Sequence, residues 1–192
     1  MNIMSKDKQP PDAATAAQGT RKRSFAPVID SNVRLLVLGS LPGELSLAQA
    51  QYYAHPQNRF WHLMSQVIAQ DLVTMQYTER LQTLLAHGVG LWDVVAEARR
   101  HGSLDSGIRE RDDNDLAQLA ASLPQLKTIA FNGATAARIG VKNLGQTAAR
   151  YDIVKLPSSS PAFTLAYTEK AKAWGVLSTM AGDNLFQLSA SP

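Results

Sequence analysis

Cysteine is absent from all 192 residues. That excludes disulfides, thiolate zinc sites and Cys-ligated iron–sulfur clusters, and it suits a reducing compartment. No apolar run approaches the ~18 residues that cross a bilayer. The opening MNIMSKDKQPPDAATAAQG has no hydrophobic stretch of the kind that starts a secretory signal. The expectation is a cytoplasmic protein, nucleoid-associated if bacterial, with no membrane partner. Glycine-rich nucleotide patterns are missing too: neither GxGxxG nor GxxxxGK[ST] occurs. No GxSxG elbow or HExxH is present, and His55, His62, His87 and His101 lack metal-ligand spacing. No metal or cofactor is expected.

Net charge is small, +3, and its placement matters more than its size. Residues 1–24 carry five bases (Lys6, Lys8, Arg21, Lys22, Arg23) against Asp7 and Asp12, leaving 14 bases and 14 acids for the rest. This Ala-, Gln-, Pro- and Lys-rich segment, 1–24, is expected to be a disordered basic tail, with RKR offering weak attraction to phosphate. Residues 25–192 are expected to form a single domain.

Aromatics are scarce, at 7%, yet four fall in YYAHPQNRFW (52–61). The surrounding pattern alternates apolar runs with helical periodicity. Strands are expected at RLLVLG (34–39), GVGLWDVV (88–95), LKTIAFNG (126–133) and in YDIVKLPSSSP (151–161), where the strand runs into a Ser/Pro loop. Helices are expected near 45–53, from Asn58 through Ile68, over 78–86, over 114–123, after Gly133, and over 165–180. Residues 99–111 read as a polar loop. Asp112, Asp113 and Asp115 read as the acidic opening of the helix that follows. Alternating strands and helices imply a parallel sheet covered on both faces, with ligands bound beyond its carboxyl edge.

SLPGELS, the end of GLWDVV, FNG and LPSSSPA all fall at that edge. Tyr52 and Tyr53 offer aromatic faces, Asn58 a neutral amide, Asp93 a carboxylate, and Ser158–Ser160 hydroxyls and turn amides suited to phosphate. Each also has a structural explanation: Tyr53 and Phe60 as core, Asn58 as a helix cap, Asp93 as a buried anchor, the serines as a turn.

Taken together, GSLPGELS, AHPQNRFW, GLWDVV, GSLDS, FNG and LPSSSPA resemble, in order and spacing, the uracil-DNA glycosylase superfamily. The likeness spans Val33 to Met180 and is nearest to the hypoxanthine-DNA (deoxyinosine) glycosylase branch, with mismatch-specific uracil/thymine-DNA glycosylases next. It implies an α/β fold, a three-layer α/β/α sandwich around a four-stranded parallel sheet. It implies a monofunctional, cofactor-free DNA repair enzyme that flips a deaminated base and hydrolyses its N-glycosidic bond, leaving an abasic site. Double- or single-stranded DNA is the implied partner and a monomer the implied state.

On this likeness Asn58 and Ser158 are the catalytic candidates. Tyr53 would stack on the base and Asp93 would read its edge, with Gly39, Ser40 and Leu41 bordering it. Pro42, Gly43, His55, Ser159, Ser160, Pro161, Ala162 and Phe163 would contact DNA, Phe163 as a plug in the base stack. The sequence departs from the superfamily at Leu41, where an Asp or Asn usually manages the attacking water, and at Ser158, where several branches have His or Asn. A uracil- or G/U-directed glycosylase, a catalytically weak DNA-binding relative and an unrelated small-ligand protein are the alternatives.

Overall fold

The computed structural model describes residues 20–181. Four strands, β2 (Leu35–Gly39), β3 (Val89–Asp93), β6 (Thr128–Asn132) and β7 (Asp152–Leu156), form a wholly parallel sheet in the order β3-β2-β6-β7. The central strands β2 and β6 are buried along their whole length, which is why they read as unbroken apolar runs rather than alternating ones. Successive residues of β2 still serve opposite faces. Leu35 and Val37 pack with Phe60, Leu63, Met64 and Trp174, whereas Leu36 and Leu38 pack with Leu116, Ala120, Ala136 and Ile139.

Helices supply those two layers. On the first face lie α2 (Phe60–Ile68), α3 (Tyr77–Ala86), α6 (Tyr167–Trp174) and the short α7 (Ser178–Ala181); on the second lie α4 (Leu116–Ser122) and α5 (Ala134–Leu144). The six-residue α1 (Glu44–Gln49) follows the loop after β2. The expected three-layer architecture is thus the observed one. The last expected helix is broken, with α6 giving way to a tight turn at Gly175–Leu177 before α7.

A second, three-stranded antiparallel sheet lies beyond what the sequence suggested. It is built from β1 (Thr20–Arg23), β4 (Val95–Arg100) and β5 (Arg109–Asp113) in the order β1-β4-β5. Two expectations are corrected here. The stretch 99–111 is no continuous loop: it holds the end of β4, a turn at Asp105–Gly107 and the start of β5. Its polar composition misled because β5 is exposed at every position. Asp112 and Asp113 accordingly lie in β5, and Asp115 caps α4 by accepting from the Gln118 amide at 2.9 Å.

Four residues of the expected basic tail, 1–24, fall in a described strand. Residues 1–19 lie outside the described residues, but Thr20–Arg23 is a strand paired to β4. Its RKR run is spent on protein contacts. Arg21 pairs with Glu97 and Asp112, and buried Lys22 donates to Glu44 at 2.7 Å. Among the described residues no helix is long and apolar enough to cross a membrane.

Candidate active site

A cavity of about 460 Å³ opens at the carboxyl ends of the parallel strands, where an open α/β sheet offers its ligand crevice. All residues named as site candidates from the sequence line it. Five segments build its walls: the loop after β2, the turn before α2, the turn of the β4–β5 hairpin, the start of α5, and the loop after β7.

The floor is Gly39 and Asp93, paired across β2 and β3. A Cβ on Gly39 would fall 2.5 Å from the Asp93 carboxylate and 3.1 Å from the Tyr53 hydroxyl. Only glycine lets those groups close over the strand end. Asp93 is 3% exposed. Burial pushes its pKa up from 3.8 to about 7, opposed by a Ser24 hydroxyl that donates to Oδ2 at 3.1 Å and by the charge of Arg100.

Tyr53 takes a left-handed backbone (φ 54°), uncommon for a bulky residue. Phe60 stacks on one face of its ring at 3.7 Å and 13°, and the partly exposed remainder lines the cavity. Its hydroxyl is buried and makes no hydrogen bond among the described residues. Desolvation raises that hydroxyl's pKa; the Asn132 amide lies near enough to oppose the shift without reaching hydrogen-bond geometry. Phe60 therefore serves the core and Tyr53 serves the cavity, separating two roles that the sequence left joined.

HPQN forms the turn into α2. The Asn58 main-chain N–H donates to the His55 carbonyl at 2.8 Å, and the Gln57 main-chain N–H donates to His55 Nδ1 at 3.2 Å, which leaves Nε2 for the outside. Asn58 Oδ1 accepts from the Phe60 amide at 3.0 Å. Asn58 thus helps to hold the start of α2 and also lines the cavity. The carbonyl end holds the helix start, and the amide end carries two N–H donors.

The two outer loops are held from behind by buried cations. Arg100 donates to the carbonyls of Leu41, Pro42 and Gly102. Lys170, 3% exposed, donates to the carbonyls of Ser160 (3.1 Å) and Phe163 (2.8 Å). Leu41 itself is folded into the apolar cluster of the second face. Ser158 Oγ accepts from the Ser160 amide at 3.2 Å. Ser159, buried, exchanges two 2.8 Å hydrogen bonds with Asn132, so its side chain is spent on the wall. Pro161, Ala162 and Phe163 are exposed at the rim.

Asn132 with Gly133, Ala134 and Thr135, and Ser103 with Leu104 and Asp105, also line the cavity. No role had been assigned to them from the sequence. The first group was legible, since FNG ends a strand and opens a helix. The second was not, because GSLDS reaches the cavity only through the β4–β5 hairpin.

Fold and site together define an α/β protein with a cleft of about 460 Å³ at the sheet's carboxyl edge. The model of the uracil DNA glycosylase superfamily matches residues 26–179, and this chain belongs to that superfamily. It is 42% identical over 113 residues to a protein of Methanosarcina barkeri (strain Fusaro / DSM 804) named hypoxanthine DNA glycosylase, covering 59% of this chain and 72% of that one. A protein of the same name from Methanosarcina acetivorans is 40% identical over 143 residues, 73% of this chain and 87% of that one. The solution NMR structure of a candidate uracil DNA glycosylase from Methanosarcina acetivorans superposes with a TM-score of 0.75 at 36% identity, over 84% of this chain and 99% of that chain.

Proposed function

We propose that this chain is a monofunctional DNA glycosylase that extrudes a deaminated base, hypoxanthine foremost, and hydrolyses its N-glycosidic bond with water. Two relatives that carry the name hypoxanthine DNA glycosylase support the choice of base. The observation that carries it is Asp93 on the cavity floor, closing over Gly39 together with the Tyr53 hydroxyl. As a carboxylate it accepts the N1–H of hypoxanthine and repels the N1 lone pair of adenine. Tyr53 supplies the stacking surface, worth roughly 1–3 kcal/mol per base.

Cleavage sends an electron pair with the base and leaves positive charge on the sugar. The Asn58 N–H donors suit the departing base, whose negative charge grows along the path. The start of α5, at Gly133, Ala134 and Thr135, lines the same space, and its helix dipole adds a positive field. Extrusion costs a few kcal/mol, least for weakly paired lesions, which contributes selectivity. Gly43, His55 Nε2 and the Ser158–Ser160 turn would meet the flanking phosphates. One chain supplies the whole cavity, so the reading requires no second copy.

The test is single-turnover base release from otherwise identical duplexes holding inosine, uracil, xanthine or adenine. Inosine should be cleaved fastest and adenine at background. Faster release of uracil would make this a uracil glycosylase, and no release with retained DNA affinity would leave a binding protein.

A further inference from the structure

We propose that Asp105 is a catalytic residue: a carboxylate on the β4–β5 hairpin that stabilises the sugar cation and takes the proton of the attacking water. The inference rests on the glycosylase reading above and concerns the part of the reaction which that reading leaves without a residue. Leu41, at the position where the superfamily's water-handling side chain is expected, is 6% exposed and packed in the core. Asn58 has its oxygen on the Phe60 amide, and an amide is too weak a base to hold a proton. Asp93, pushed to about 7 by burial and hydrogen-bonded to Ser24, is placed to read the base from the floor.

Asp105 differs from all three. It is half-buried, lines the cavity, and accepts from the Ser40 hydroxyl at 2.6 Å. That bond fixes it against the β2 loop, beside the residue that Leu41 follows. It lines the same cavity as Gly39, Asp93 and Tyr53. Arg100 lies nearby, but its guanidinium donates to the main-chain carbonyls of Leu41, Pro42 and Gly102.

The step balances without a further reactant. The C1′–N9 bond breaks and its electron pair leaves with hypoxanthine. A water oxygen bonds to C1′ and its proton passes to the Asp105 carboxylate. The departing base takes a proton from solvent, and Asp105 returns its own to solvent.

Asp105→Asn is the discriminating variant, because its amide oxygen still accepts from Ser40 while the charge is gone. Two readouts are paired: single-turnover release from inosine DNA, and affinity for duplexes carrying a neutral tetrahydrofuran or a cationic pyrrolidine at the abasic position. Wild type should prefer pyrrolidine. Asp105→Asn should lose about 100-fold or more in rate, bind tetrahydrofuran within about twofold of wild type, and lose the pyrrolidine preference; Asp105→Glu should regain that preference. A rate in Asp105→Asn within about threefold of wild type, or an undiminished pyrrolidine preference, would overturn the proposal. Should Asp105→Asn not fold, Asp105→Glu decides, since loss of the preference there too would count against a role for the charge. A wild type inactive on inosine would instead indict the glycosylase reading, with the affinity pair still reporting on Asp105.

Discussion

Asp93 shows how one residue couples stability to recognition. Its folded pKa, about 7, stands above its ordinary 3.8. The folded state therefore holds the proton more tightly, and stability is greatest below the ordinary value and declines as pH rises through about 7. Asp93→Asn should remove that decline and be more stable than wild type at pH 8 by up to ~4 kcal/mol, read from urea unfolding at pH 5 and 8. Equal slopes with pH in the two proteins would refute the burial argument. Recognition should run the opposite way. Only the carboxylate repels adenine N1, so the wild-type ratio of inosine to adenine release should climb between pH 6 and 8, and in Asp93→Asn it should stay flat.

Among elements, α5 packs closely on β6 at Gly140. Gly140 lies flat on the Phe131 ring, and any Cβ there would collide with it. Phe131 is fully buried and cannot swing away, so Gly140→Ala should cost about 1–3 kcal/mol by overpacking, measured as a lower unfolding midpoint. An unchanged midpoint would mean the helix can slide. At the rim, Phe163 and Leu104 are 46% and 58% exposed on separate loops. The Phe163 ring lies 5.5 Å from Lys170 Nζ, which braces its loop. Phe163→Ala should weaken binding to abasic-site DNA several-fold with little change in the single-turnover rate, and Leu104→Ala should do the same if both enter the stack. Unchanged affinity in Phe163→Ala would dismiss it as a plug.

The whole molecule was unevenly legible. The parallel sheet could be read because its central strands are buried on both sides and so are apolar throughout. Gly39, Asp93 and Asn58 could be read because each ends a strand or opens a helix. The antiparallel sheet could not, since β5 has no buried side chain and β1 is a basic run held by Glu97, Asp112 and Glu44. That hairpin is what brings Leu104 and Asp105 to the cavity, so the missed sheet and the missed residues share one cause.

The account turns on the Asn58 amide facing the departing base. Asn58→Asp isolates it, because an aspartate oxygen can still accept from the Phe60 amide and hold α2 while both N–H donors vanish. Single-turnover release of hypoxanthine by this variant should fall about 100-fold or more, with the thermal midpoint within a degree or two of wild type. A rate indistinguishable from wild type in the folded variant would contradict it.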